Sequence, residues 1–219
     1  QSPMNVKFDI FRRVNTGGIP LNSQEIRNIL ANESTRHFLL KMVNSEEFQT
    51  ATRGHVNDIR MDAQELCLRF ITFYLRYDPA SREVTQLKSM GNMMDQCIEA
   101  LNSMPQKELD RIYSAFLSSM KKCRALFGDK AFSKPDNEHI INKVLFTSWA
   151  VVLCSYPLSE NALLTMREHA IHLLYSKMEA DARYFTAISS STGSKTSIKK
   201  QFETAHLLME ELIHGTSDQ

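Results

Sequence analysis

Apolar and polar residues alternate one by one from Val6 to Phe11, with Val6, Phe8 and Ile10 on one side and Lys7, Asp9 and Phe11 on the other. That period of two predicts a short strand or extended segment. After Asn15-Thr16-Gly17-Gly18, a turn by composition, the spacing changes to helical and stays so. Asn22 followed by Glu25 is a variant of the capping box and predicts a helix just after Leu21, with Ile26, Ile29 and Leu30 as its apolar positions. Phe38, Leu39, Met42 and Val43 mark a second helix, and Phe48 a short third one. Asp62 reads as the cap of a helix whose buried stripe is Leu66, Phe70, Phe73 and Tyr74, ended by Asp78-Pro79. Helical spacing resumes from Leu87 to Met104, and Pro105 then opens a long helix to Phe127, stopped by Gly128. Beyond the loop GDKAFSKPDNEH come an apolar helix around Trp149, a helix from Ser159 through Met178, a short helix to Ile188, the loop SSSTGSKT and a last helix through Ile213. The expectation is an all-α, multi-helix bundle of about eight to ten helices with a short N-terminal strand or extended segment. No fixed-period repeat of the solenoid kind is present.

Composition changes this picture little. The chain has 219 residues, 42% of them hydrophobic and 23% charged, which suits a soluble domain with a real core. Its 26 Lys and Arg nearly balance 25 Asp and Glu, so any attraction to nucleic acid must come from local patches. Cys67, Cys97, Cys123 and Cys154 stand singly in apolar helical runs, without metal-ligand spacing, and read as reduced core residues of a cytoplasmic protein. The longest apolar run, Val144 to Tyr156, falls short of the roughly 18 residues of a membrane span, so no membrane association is expected. The chain opens on Gln1, and a longer parent protein is expected.

Three stretches carry candidate chemistry. In the first, Gly17 and Gly18 let backbone N–H groups approach an anion while Arg12 and Arg13 supply charge and Asn15 an amide. The competing reading is a tight turn into the helix, its arginines solvated or paired with Glu25. Gln24 and Arg27 lie on the first turns of that helix, close to any such site. The second stretch runs from Ala182 to Phe202. It holds Arg183, Lys195, Lys199 and Lys200 without an acidic residue, and suits either a phosphate-backbone contact at a helix start or a solvated loop. Gly193-Ser194-Lys195-Thr196 is not a phosphate loop, because the lysine does not follow the glycine directly and the earlier glycine is missing. The third stretch, Lys121, Lys122, Arg124, Lys130 and Lys134, reads as a basic run that contacts nucleic acid or merely faces water at a helix end. His169 and His172 stand three apart with no third ligand, so no metal site is assigned. Met90, Met93, Met94 and Met104 read as gap-filling core.

The first stretch also resembles a family signature. Phe11, Arg13, Asn15, Gly17, Gly18, Leu21, Gln24, Glu25, Arg27 and Asn28 match the motif F-x-R-x-N-x-G-G-x-x-L-x-x-Q-E-[IL]-R-N of the GmrSD-type restriction endonuclease N-terminal family, a ParB-like group. LFGDKAF from Leu126, INKVLF from Ile141 and TGSKTSIKKQF from Thr192 look like that family's later landmarks, in order. Ser133 and Gln201 stand where its members tend to carry arginine. The D-G-Q-Q-R-like motif of the family's small α/β domain is absent. The resemblance therefore implies that residues 1–21 are the closing strand and turn of a ParB-like α/β domain and residues 22–219 the helical domain. It implies a DNA nuclease or nucleotide hydrolase of restriction and phage defence, inactive as this fragment alone. Arg13 and Asn15 would complete a catalytic site formed mainly upstream. Arg12, Gly17, Gly18, Gln24 and Arg27 would meet nucleotide or phosphate, and Lys195, Lys199, Lys200, Lys121, Lys122 and Arg124 DNA. The nucleotide and a divalent metal would belong to the full-length protein, whose upstream ParB-like domain and DNA are the implied partners. Asn142 would reach across to the opening motif. The alternative is a helical interaction or regulatory module with no catalytic role.

Overall fold

A computed structural model describes residue 6, residues 20–56 and residues 58–215 of the chain. Of the expected strand only Val6 is described, and it is helical; the rest of that strand and the glycine turn lie outside the described residues. The described residues form eleven α-helices and one two-stranded hairpin, an all-α bundle. The helices are α1 (Ser23–Leu30), α2 (Glu33–Val43), α3 (Glu46–Thr52), α4 (Asp62–Tyr74), α5 (Met90–Leu101), α6 (Gln106–Phe127), α7 (Lys143–Cys154), α8 (Glu160–Thr165), α9 (Arg167–Ala180), α10 (Ala182–Ser189) and α11 (Lys195–Gly215). Strands β1 (Tyr77–Asp78) and β2 (Glu83–Val84) pair antiparallel, Tyr77 opposite Val84.

The core is organised around α7. Every residue from Val144 to Leu153 is buried, as expected of a helix that is apolar on all sides. It packs against α4, α6 and α11. The 22 residues of α6 span about 33 Å and lie along α3, α7, α8 and α9. Phe146 of α7 meets Phe48 of α3 at 5.9 Å and Phe132 at 4.8 Å between ring centroids. Phe116 of α6 continues the cluster, 6.0 Å from Phe48 and 5.1 Å from Phe70 of α4. All four cysteines are free thiols, and burial pushes those of Cys97 and Cys154 up to about 11.

Helix ends follow local chemistry with three departures from expectation. The Asn22–Glu25 capping box is present in full: the Asn22 side chain accepts from Glu25 N at 2.8 Å, and Asn22 N donates to Glu25 Oε2 at 2.6 Å. Gly128 ends α6 with φ 54° and ψ −132°, a conformation open to glycine. The first departure concerns α4, which is capped by Asp58 rather than Asp62. Asp58 Oδ1 accepts from Ala63 N and Gln64 N, while Met61 turns left-handed at φ 62°. That leaves the Asp62 carboxylate for a distant partner.

The second departure is the hairpin that follows α4. Asp78 accepts from Ala80 N and Ser81 Oγ and so folds Pro79 into a turn, returning the chain along β2. The third is that α8 and α9 are two helices, broken at Met166, where one was expected. No glycine or proline marks the break. Arg167 holds it by donating to the carbonyls of Ala125 at 2.9 Å and Arg124 at 3.1 Å, at the end of α6. No described helix is long and apolar enough to cross a membrane.

Candidate functional site

Asn22, Gln24 and Arg27 bring the end of the opening motif to a junction of α1, α4, α5 and α7. A cleft of about 440 Å³ lies there, lined by Gln24, Asp62, Glu65, Arg69, Gly91 and Lys143 among others. The sequence spacing gives no hint of this meeting, since Gln24 and Lys143 are over a hundred residues apart. Lys143 is the hinge of the arrangement. Its Nζ donates to Asp62 Oδ1 and to Glu65 Oε2, each at 2.7 Å. Glu65 also accepts from Arg69 Nε at 2.8 Å, one helical turn along α4. Burial raises the Glu65 carboxyl, but Arg69 and Lys143 together overcome that and hold it below its ordinary value. Glu65 therefore stays ionised between two cationic partners.

Arg27 is placed differently from the phosphate-facing role implied for it. It is 4% exposed, and its Nε donates to Asp95 Oδ1 at 2.8 Å. Nη2 points to the Gly91 carbonyl at 3.4 Å. This buried pair fastens α1 to α5. A helix-face arginine with an aspartate 68 residues later is invisible to spacing rules.

Gln24 is 2% exposed, and neither its Nε2 nor its Oε1 meets a partner. A buried amide left unmatched costs about 1–3 kcal/mol for each lost group, so such a residue asks for a reason. Glu25 is drawn outward instead. Arg60 Nη2 donates to Glu25 Oε2 at 2.7 Å and to the Pro20 carbonyl at 2.9 Å, and Asn22 Nδ2 donates to the Arg60 carbonyl. Arg60 is thus the partner found for Glu25, and with the Asn22 N–H it holds that carboxyl below its usual range. Arg12, Arg13, Asn15, Gly17 and Gly18 lie outside the described residues.

Asn142 does not reach the opening motif. Its Oδ1 accepts from Val144 N and Leu145 N, capping α7, and its Nδ2 donates to the Ile188 carbonyl at 2.9 Å. An amide at a helix start is spent on the nearest unpaired N–H groups before any distant contact.

The basic residues expected to meet DNA do not form one surface of unbalanced charge. Lys199 pairs with Glu83 at 2.9 Å, Lys200 with Asp181 at 2.9 Å, Lys121 with Glu47 at 3.5 Å and Arg124 with Asp129 at 2.5 Å. Lys122 Nζ donates to the carbonyls of Tyr156 at 2.6 Å and Leu153 at 3.2 Å, which closes the end of α7. Lys195 is exposed at the start of α11. The pairs of Lys199, Lys121 and Arg124 lie at the surface, where such contacts contribute little and exchange readily for phosphate. Lys122 is tied into the fold. Among the described residues no three His, Cys, Asp or Glu side chains converge as metal ligands would.

Compared with known protein families, with curated proteins and with solved structures, the chain finds no match.

Proposed function

We propose that this chain is the helical part of a ParB-like, GmrSD-like DNA nuclease or nucleotide hydrolase that restricts foreign or modified DNA. Arg13 and Asn15 complete a site formed mainly by an upstream ParB-like domain of the same protein. The observation that supports this reading most is the convergence of two separated landmarks: Gln24 and Arg27 of the opening motif share one cleft with Lys143 of INKVLF. In this reading the bundle positions rather than reacts. Arg27 and Asp95 lock α1, the helix that leads out of the motif, onto α5. Lys143 fixes the two carboxylates of α4 beneath it. Arg12, Gly17 and Gly18 meet the phosphate groups of a nucleotide, and a divalent metal takes its ligands upstream. Lys195, Lys199, Lys200, Lys121 and Arg124 lie along the path of the DNA backbone.

A second reading, a helical interaction module without catalysis, draws its support from the pairing of nearly all those basic side chains with acids of the chain itself. The two are separated by activity. In the full-length protein, Arg13→Ala and Asn15→Ala are each expected to lower nucleotide hydrolysis or DNA cleavage about 100-fold or more, the scale of losing one fixed donor at a reacting group. Melting temperatures are expected to stay at the parent value. Activity retained in both variants selects the interaction module.

A further inference from the structure

We propose that the cleft between α1, α4, α5 and α7 is a nucleobase pocket in which Gln24 reads an edge carrying one donor and one acceptor side by side. The inference rests on the nucleotide-handling reading above and names the part of the ligand this cleft takes. Three features lead to it.

First, each cation lining the cleft is already engaged by a carboxylate. Arg27, Arg69 and Lys143 face Asp95, Glu65 and Asp62, each cation within 2.8 Å of a carboxylate oxygen. Asp62 and Glu65 line the cleft while Asp95 is buried behind Arg27, so a phosphate entering would meet two carboxylates and cations already engaged, which favours a neutral occupant. Second, Gln24 is buried with both amide atoms unmatched. A primary amide presents N–H and C=O in one plane, the complement of the donor–acceptor edge that every nucleobase carries. The amide atoms are closed to water, so a base reaches them once the side chain turns about its torsions, which exchanges two unmet groups for two met ones. Third, the remaining wall suits a flat ring. Met90 and Met94 line the cleft beside Gly91, and thioethers pack well on aromatic edges and faces. That favours a base over a peptide amide. The side chain of Asp62, 49% exposed, lies where a ribose hydroxyl can donate to it. At about 440 Å³ the cleft has the size of a small-ligand site.

Isothermal titration of the 219-residue chain with adenosine, guanosine, cytidine and uridine tests this, with ribose 5-phosphate, inorganic phosphate and N-acetylglycinamide as comparisons. At least one nucleoside is expected to bind. Its affinity is expected to fall tenfold or more in Gln24→Leu, a variant that removes the unmatched amide and so keeps or raises the melting temperature. Ribose 5-phosphate, phosphate and the neutral amide are expected to bind no better than background. Nucleoside binding that Gln24→Leu leaves unchanged overturns the proposal, as does saturation by phosphate or the amide alone or by no probe. Failure here is separate from failure of the nuclease reading, because the Arg13 and Asn15 variants report hydrolysis and leave Gln24 in place.

Discussion

Replacing Arg27 with alanine is expected to lower the unfolding free energy by about 3–5 kcal/mol. The substitution takes from Asp95, whose side chain is 5% exposed, the guanidinium that donates to its Oδ1. It also removes the donor to the Gly91 carbonyl. The cost arises from a buried carboxylate that loses a charged donor and not from the strength of the pair. The double variant Arg27→Met with Asp95→Leu is therefore expected to recover most of the loss, since well-packed apolar side chains commonly replace a buried pair at little net cost. Denaturant unfolding of the two variants checks both statements. A single variant as stable as the parent would show that α1 does not depend on α5. A double variant no better than the single would show that the pair itself, through geometry, carries the stability.

Phe146→Ala is expected to destabilise the bundle by about 3–5 kcal/mol through the cavity it opens. Phe146 is fully buried on α7 and edges onto both Phe48 and Phe132. It thereby joins α3, α7 and the loop after α6, so little can collapse into the space left behind. For a domain of this size the melting temperature is expected to fall by about 10 °C in calorimetry. Phe185→Ala is the contrast. Phe185 is 39% exposed on α10, and its loss is expected to change the melting temperature far less. Equal effects in the two variants would contradict the placing of the core around α7.

Much of the bundle was legible because helix periodicity and caps are local. Asn22 with Glu25, Ser159, Gly128 and the stripe Leu66, Phe70 and Phe73 all do in space what their spacing predicts. The misses lie in contacts and turns that helix periodicity does not record. Asp62 looked like a cap because it precedes an apolar run, but Asp58 reaches the same N–H groups from one turn further back. The break at Met166 is held by Arg167 on the end of α6, which no propensity records. Strands of two residues each are too short to show a period. At the site the pattern repeats. Gln24 and Arg27 were singled out by the opening motif, yet the company they keep was not. Asp95, Asp62, Glu65 and Arg69 carry no motif, and Lys143 stands out only beside Asn142 in INKVLF. Nor could charge counting foresee that Lys122 closes a helix end or that Lys199 and Lys200 sit against acids, because sequence separation hides which surface charges face each other.

Lys143→Met in the full-length protein tests whether the opening motif and the start of α7 act through one cleft. Lys143 is partly exposed and its two ion pairs contribute little to folding, so the melting temperature is expected to stay close to that of the parent. Hydrolysis or cleavage is expected to fall tenfold or more, because the carboxylates of Asp62 and Glu65 lose the ammonium that fixes them beneath Gln24. Undiminished activity at unchanged stability would contradict the claim and leave the cleft a by-product of helix packing.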